Sequence, residues 1–286
     1  MSTIEYNGYR VWYQESGRGE PMVFLHNGGN DHRIWDHQVE YFSKTHRVIV
    51  VDHLGHGRSD RPAIEYTLPL FTGEVAALVE QLDLAPVMLV GHCIGGAMSL
   101  NYTLAHPENV RALVLFNVAT EKTLCAGPLA DMYRSFSSDR AAREQFIEGV
   151  EAATIPREES QARLQRQLGE SKVADDLEFA EHIYRLHSLK GQMRTLFNTI
   201  SHFDSYRGLD VLEKPANFPP VCLFWGEANA ILPSSAGREF SDRLRPDKFE
   251  PLSGCGHLAM REHAAEVNEK IEAFLAAHTR KMVQAS

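Results

Sequence analysis

The chain has 286 residues, of which 43% are hydrophobic and 23% charged, a composition typical of a globular protein with a large buried core. Its formal net charge of −9 makes nucleic acid and acidic membranes unfavourable partners, so we expect neither. No apolar run approaches the ~18 residues of a membrane span. The first residues, MSTIEYNGYR, lack the apolar core of a secretory signal, which favours a cytoplasmic protein.

The first two predicted strands form a hairpin. TIEYNGYRVWYQESG has two alternating runs around Asn7-Gly8, a dipeptide typical of hairpin turns. Five continuous apolar runs follow, as expected for strands buried on both faces of a parallel sheet. These runs are PMVFLH (21–26), HRVIVVD (46–52), PVMLVGH (86–92), VRALVLFN (110–117) and PVCLFWG (220–226).

Amphipathic helices are predicted between and after these runs. Apolar residues recur at helical spacing in GEVAALVEQLD and in the last helix, REHAAEVNEKIEAFL. Strands that alternate with helices predict an α/β fold with a doubly wound, mostly parallel sheet.

The alternation breaks between residues 121 and 213, where we predict helices and no strand. The three amphipathic segments are SDRAAREQFIEGVEAA, REESQARLQRQL and KVADDLEFAEHIYRLH, with Val173, Leu177, Ala180 and Tyr184 on the inner face of the third. We interpret 121–213 as a helical cap, inserted after the predicted strand 110–117, and 1–120 with 214–286 as the core. A helical region packed elsewhere is the alternative.

The stretch VMLVGHCIGGAMSL contains a G-x-C-x-G turn between an apolar strand and a helix. This pattern matches a nucleophile elbow with Cys93 in place of serine, and the flanking Gly91 and Gly95 leave room for the tight turn. The following helix would direct its N-terminus at the thiol and stabilise a thiolate. The alternative is a small buried cysteine in an ordinary strand–helix turn. The other cysteines, Cys125, Cys222 and Cys255, form no CxxC pair, so we expect neither a disulfide framework nor a zinc site.

Four motifs in order resemble those of the α/β-hydrolase family, and the resemblance covers nearly the whole chain. VFLHNGG resembles the family's oxyanion loop, with Asn27 where the first glycine usually stands. VDHLGHGRSDRP resembles its D-x-x-G-x-G-x-S turn. LFWGEANAILP and SGCGHLAMREHAAEV resemble the loops that carry the acid and the histidine of the catalytic triad.

Several site residues follow from this comparison and from the chemistry. A thiol nucleophile needs a base, and His257 lies in the Gly-rich loop at the same sheet edge as the elbow. The resemblance implies an oxyanion hole made by the backbone N–H groups of Ile94 and Gly28. We interpret His92 as structural. The residues we expect to line the substrate pocket are Asn27, His26, Asn117 and Trp35; the cap aromatics Phe136, Tyr184, Phe197 and Phe203 are further candidates.

The sequence departs from the family at the acid. Asn229 stands where the aspartate is expected, and Asn117, at an alternative acid position, is also neutral. Three accounts remain open. Cys93, His257 and Asn229 form a Cys-His-Asn triad; or an acid comes from elsewhere, with Glu227 the nearest; or the site is catalytically degenerate.

A cysteine nucleophile with an oxyanion hole performs acyl transfer. Our first hypothesis is an acyl hydrolase that forms a thioester on Cys93, with His257 as base and Asn229 as orienting residue. The second is an acyltransferase that passes the acyl group to an amine, alcohol or thiol, and the third is a ligand-binding protein with little turnover. The expected partner is a small acyl substrate, such as a CoA- or carrier-protein-linked thioester, and no metal or other cofactor is expected.

Overall fold

The computed structural model describes residues 2–153 and 155–285 and contains one eight-stranded sheet. The order across the sheet is β1-β2-β4-β3-β5-β6-β7-β8. The strands are β1 (Ser2–Tyr6), β2 (Tyr9–Ser16), β3 (Pro21–Leu25), β4 (Arg47–Asp52), β5 (Val87–His92), β6 (Val110–Phe116), β7 (Val221–Gly226) and β8 (Lys248–Leu252).

Most of the sheet is parallel, as predicted. Only the β1–β2 and β2–β4 pairs are antiparallel, and the pairs from β4 through β8 are parallel. The predicted hairpin is present, and its turn residues Asn7 and Gly8 both have positive φ, at 51° and 78°. Val87–His92 is buried along its whole length, as its uninterrupted apolar sequence requires.

The eighth strand, β8, was not predicted. Its sequence, KFEPL, contains Pro251 and is partly exposed, so it lacks the apolar run that marks the central strands. It pairs with β7 alone. Proline is tolerated there because an edge strand has one side without ladder hydrogen bonds.

Helices cover both faces of the sheet. Apolar side chains of α2, α3 and α10 pack on one face, and those of α1 and α12 pack on the other, giving two large core clusters. This is the doubly wound α/β architecture that the sequence predicts. The α-helices of the core are α1 (Asp36–Phe42), α2 (Leu68–Gln81), α3 (Ile94–Ala105), α10 (Ser234–Leu244), α11 (Ala259–Glu262) and α12 (Ala264–Ala285). None of the described helices combines the length and apolarity needed to cross a membrane.

Between β6 and β7, the described residues form helices and loops but no strand. The exact limits of the cap, 121 and 213, stay a prediction. The α-helices of this segment are α4 (Glu121–Cys125), α5 (Ala130–Ser138), α6 (Arg140–Ala152), α7 (Arg157–Gln165), α8 (Leu177–His187) and α9 (Gln192–Ser201), and 3₁₀ helices span Val173–Asp175 and Phe203–Val211.

The inner face predicted for the third cap segment is only partly correct, since Ala180 is buried but Leu177 is not. The segment is interrupted at Asp176, whose side chain accepts a hydrogen bond from the Phe179 N–H and begins α8 there. Val173 therefore lies in a separate turn, and Leu177 is 64% exposed. The buried face of α8 consists of Phe179, Ala180, Ile183, Leu186 and His187.

Candidate active site

The turn after β5 places Cys93 at the N-terminus of α3 in a strained backbone conformation, with φ 54° and ψ −109°. Both flanking glycines are required by close packing. A Cβ on Gly91 would overlap the carbonyl oxygen of Gly95, and a Cβ on Gly95 would overlap the carbonyl oxygen of Leu25. The turn therefore has the geometry of a nucleophile elbow.

The loop after β3 lies against this elbow. A Cβ on Gly28 would be 3.6 Å from the Ile94 side chain, so the two residues expected to form the oxyanion hole are close neighbours. Gly28, Ile94 and Cys93 all line the same cavity. Ile94 is the first residue of α3, and its N–H has no partner within the helix. Their role as oxyanion donors stays a prediction.

Asn229 contacts His257, but with its amide nitrogen. Asn229 Oδ1 accepts hydrogen bonds from the backbone N–H groups of Ile231 (2.9 Å) and Leu232 (3.0 Å), which fixes the orientation of the amide. Asn229 Nδ2 then lies 3.1 Å from His257 Nδ1. Because the amide NH₂ can only donate, Nδ1 is the acceptor, and the neutral imidazole carries its proton on Nε2.

This contact corrects one detail of the sequence-based hypothesis. An Asn229 oxygen was expected to accept from His257 Nδ1–H, as in a Cys-His-Asn triad. The backbone of Ile231 and Leu232 occupies that oxygen instead. The residue pairing is as expected, but the donor and the acceptor are exchanged.

Burial keeps both reacting groups neutral. It raises the pKa of the Cys93 thiol to about 12, although the Ile94 N–H partly opposes the shift. It also lowers the pKa of His257 to about 3. At neutral pH the site therefore holds a thiol and a neutral imidazole rather than a thiolate–imidazolium pair. The His92 ring packs against His257 with centroids 4.4 Å apart, and its own pKa is lowered by burial and by the nearby His257.

Cys93 and His257 line a cavity of about 320 Å³ beneath the cap. Two larger hollows, of about 770 and 570 Å³, are lined by neither residue. Most of the wall of the 320 Å³ cavity is apolar and comes from the cap. Its apolar cap residues are Leu124, Leu129, Met132, Phe146, Met193, Leu196, Phe197, Ile200 and Phe203. Such a wall suits a small organic substrate with an apolar portion.

Of the four expected pocket residues, only Asn27 lines this cavity. Trp35 instead packs in the core against Phe24 and Phe116. His26 Nδ1 lies 2.7 Å from the Asn27 carbonyl oxygen, and His26 Nε2 accepts a hydrogen bond from the His53 N–H. These two expectations are wrong because both side chains turn from their loops into the protein.

The expectation for Asn117 is wrong for a related reason. Its Nδ2 donates to the His257 carbonyl oxygen at 3.0 Å, and its Oδ1 accepts from the Gly226 N–H at 3.1 Å. Asn117 therefore ties the end of β6 to β7 and to the histidine loop. Glu227 does not supply the missing acid, since it is exposed and pairs with Arg238 at 2.8 Å. Among the cap aromatics, Phe197 and Phe203 line the cavity, whereas Phe136 and Tyr184 do not.

A residue that the sequence did not single out, Gln167, connects the cap to the site. It lines the cavity, and its backbone oxygen accepts from the His257 N–H at 2.6 Å. Its Oε1 accepts from the Asn27 and Asn30 side chains at 3.4 and 3.2 Å. No local motif marks such a residue, because its position depends on how the cap docks on the core.

The cap and the histidine loop are in close contact around Gln167. Glu170 N–H donates to the Gly254 oxygen at 2.8 Å. Glu262 accepts from the backbone N–H groups of Gly169 (2.7 Å) and Gly256 (2.9 Å). The backbones pack so tightly that a Cβ on Gly169 or Gly256 would overlap the facing chain. This cap segment thereby holds the His257 loop in place.

Asp31, His32 and Asp52 form a buried group whose ligand atoms are close enough to hold a metal ion. These atoms already have protein partners. His32 Nδ1 lies 2.7 Å from Asp52 Oδ1, Asp52 also accepts from the Arg58 N–H, and Asp31 pairs with His182 at 2.8 Å. The contacts connect the turn at Asp52 with the preceding loop and with the cap.

Comparison with known proteins agrees with this architecture. A family model for the alpha/beta hydrolase fold matches residues 20–264. In sequence, the chain is 28% identical over 269 residues to the dihydrolipoyllysine-residue acetyltransferase component of the acetoin cleaving system of Pseudomonas putida, covering 93% of this chain and 66% of that protein. It is 30% identical over 167 residues to the (E)-2-((N-methylformamido)methylene)succinate hydrolase of Acinetobacter baylyi. This match covers 58% of this chain and 57% of that protein.

The matches thus span less than two thirds of the length of these two relatives.

In structure, a bromoperoxidase from Bacillus anthracis superposes with a TM-score of 0.77 at 22% identity, covering 96% of this chain and 99% of that one. The match to the family model and the sheet order lead to one conclusion: the chain belongs to the alpha/beta hydrolase fold family.

Proposed function

We propose that the protein is an acyl hydrolase that acts on small activated esters or thioesters through a thioester on Cys93. The observation that carries the proposal is the placement of Cys93 at the tip of the elbow, in one cavity with Ile94, Gly28 and His257. The apolar cap wall favours an acyl group with an apolar portion.

In the proposed reaction, Cys93 Sγ attacks the acyl carbon while its proton passes to His257 Nε2. The carbonyl electron pair moves onto oxygen, where the N–H groups of Ile94 and Gly28 would stabilise it. Collapse of this intermediate expels the leaving group, which takes the proton from His257, and leaves a thioester. Water then attacks the thioester, gives a proton to His257, and releases the acid and the thiol.

Asn229 slows the proposed transfer of the Cys93 proton to His257. Accepting a proton at Nε2 requires the tautomer with hydrogen on Nδ1, and that hydrogen would face the Asn229 NH₂ group 3.1 Å away. In serine proteases, an asparagine in place of the triad aspartate fixes the same unproductive tautomer and costs about 10⁴-fold in rate. A thiol is more acidic than a serine hydroxyl, so the cost for Cys93 is smaller.

The names of the relatives support acyl chemistry. They leave open whether water or another molecule accepts the acyl group. One is named as a hydrolase and another as an acetyltransferase component. A second candidate, ligand binding with little turnover, is favoured by the neutral thiol and imidazole.

The test is to incubate the protein with acyl thioesters and activated esters, followed by intact-mass measurement and peptide mapping. A Cys93 adduct that decays in water is the expected result. The control is Cys125→Ala, which removes a thiol that does not line the cavity and should leave the adduct unchanged.

Two other outcomes would replace the proposal. An adduct that persists in water but is discharged by an added amine or thiol identifies an acyltransferase. No adduct with any donor, together with thermal stabilisation by the same compounds, identifies a ligand-binding protein.

A further inference from the structure

We propose that the acyl group bound here carries a carboxylate at the end remote from the reacting carbonyl, and that Arg166 recognises it. The inference rests on the proposed function for the statement that the ligand is an acyl group. The evidence for the negative charge is independent of that function and comes from the polar part of the cavity wall.

The polar wall comes mainly from one stretch of the cap. Glu159, Arg163, Arg166 and Gln167 lie on α7 or just after it, and all four line the cavity that contains Cys93. The remaining cap wall is mostly apolar. A ligand that fills the cavity therefore meets charged groups only along this stretch.

Two acceptor atoms of this stretch, Glu159 Oε1 and Gln167 Oε1, already have protein donors. Arg163 donates to Glu159 Oε1 through Nη2 at 2.6 Å and through Nε at 3.2 Å. Gln167 Oε1 accepts from the side chains of Asn27 and Asn30. At Glu159 Oε1 a ligand donor would compete with Arg163, and at Gln167 Oε1 it would compete with Asn27 and Asn30.

Two donors remain for a ligand. The two amide contacts at Gln167 Oε1 fix the orientation of that side chain and leave its NH₂ group without a protein partner in the described chain. Arg166 is exposed at the cavity and has no ion pair or side-chain hydrogen bond within residues 2–153 and 155–285. Since Arg163 and Glu159 neutralise each other, Arg166 gives the stretch a net positive charge.

A carboxylate has the complementary chemistry, because it accepts paired hydrogen bonds from a guanidinium in a planar geometry. A phosphate of a CoA leaving group shares the anionic oxygen chemistry. Arg166 lines the same cavity as Cys93, and most of the wall of that cavity is apolar. A cavity of this kind suits an acyl chain, so we assign the charge to that chain.

Binding can be measured without turnover in Cys93→Ala protein. We expect monomethyl adipate to bind about tenfold more tightly than dimethyl adipate by calorimetry, a difference typical of one charge-assisted pair at a partly exposed site. Arg166→Gln should abolish this preference. The matched control is Arg157→Gln on the same helix, since Arg157 pairs with Glu181 and does not line the cavity.

Turnover distinguishes the two sources of negative charge. Adipoyl and hexanoyl thioesters are each compared with N-acetylcysteamine and with CoA as the leaving group. A preference in kcat/KM of about tenfold for adipoyl on both leaving groups, lost in Arg166→Gln, is expected. A kcat/KM that is higher for CoA thioesters but equal for adipoyl and hexanoyl groups overturns the inference. Equal binding of the two adipate esters overturns it as well. If no thioester reacts but the binding preference persists, the proposed function fails and the anion site stands.

Discussion

The nucleophile elbow and the Asn229 loop follow β5 and β7 of the same sheet, but only the elbow is fully suited to its expected chemistry. At the elbow, the glycine packing, the strained Cys93 backbone and the start of α3 place the thiol at the cavity, as the proposed nucleophile requires. At the Asn229 loop, two backbone N–H groups hold one side-chain oxygen, an arrangement that suits a carboxylate, yet the second atom is an NH₂ group directed at His257.

The two regions differ because the Asn229–His257 contact keeps the position expected for the proposed triad while the imidazole proton occupies the other ring nitrogen. Replacing one carboxylate oxygen by nitrogen leaves the Ile231 and Leu232 contacts available and reverses the polarity of the contact to His257. In the proposed reaction, the reactivity of Cys93 therefore depends on one atom of Asn229. Four measurements test this dependence.

The largest effect is expected for Cys93→Ser. A serine hydroxyl depends more on an oriented base than a thiol does, and the base tautomer is disfavoured here, so we expect turnover to fall by about 10³-fold or more. In Cys93→Ser/Asn229→Asp the restored carboxylate should recover much of this loss. Steady-state rates of the four proteins in this double-mutant cycle provide the measurement. Independent, additive effects would contradict the tautomer argument.

Asn229→Asp alone should raise the rate of Cys93 acylation, by about 10²-fold, because a carboxylate accepts the Nδ1–H and favours a basic Nε2. Stopped-flow release of a chromogenic leaving group gives the rate. The matched control is Asn229→Ala, which removes the NH₂ contact without supplying a carboxylate. A lower rate in Asn229→Asp would mean that Asn229 Nδ2 itself assists the reaction.

The alkylation of Cys93 by iodoacetamide should increase about tenfold per pH unit from pH 7 to above pH 9, since burial raises the thiol pKa to about 12 and only the thiolate reacts. Peptide mapping of labelled Cys93 follows the reaction. In Asn229→Asp the profile should flatten, because a more basic His257 stabilises the thiolate. A flat profile in the unmodified protein would show that the thiolate already forms at neutral pH.

Lowering the pH should reduce the free energy of unfolding through histidines in both regions. Burial lowers the pKa of His92 beside the elbow and of His257 beside Asn229. The unfolded chain then binds protons below about pH 6.5 that the folded chain does not, so stability is complete above that pH and falls below it. For each such histidine the free energy of unfolding should drop by up to about 1.4 kcal/mol per pH unit down to about pH 4. Urea unfolding at pH 7 and pH 5 measures the change; equal stabilities would contradict the burial argument.

The sequence predicted the elbow because the strand, the two glycines and the helix are adjacent in the chain. The resemblance to the α/β-hydrolase family also predicted that Asn229 meets His257, and the two side chains are in contact. The sequence did not predict which amide atom of Asn229 faces His257. That orientation depends on the backbone N–H groups of residues 231–232, which bind Asn229 Oδ1. Trp35 and Asn117 were misplaced for a similar reason: a loop at the correct edge can still turn its side chains into the core.

The hydrogen bonds between Gln167–Glu170 and the histidine loop determine how a substrate can enter. Three of them join cap to core: His257 N–H to Gln167, Glu170 N–H to Gly254, and Gly169 N–H to Glu262. Lifting the cap on this side would displace the base from the nucleophile. Entry is instead expected on the side of Phe146, which lines the cavity, is 41% exposed and packs edge-on against Phe197. We expect that rotation of the Phe146 ring would open the cavity on this side without moving His257.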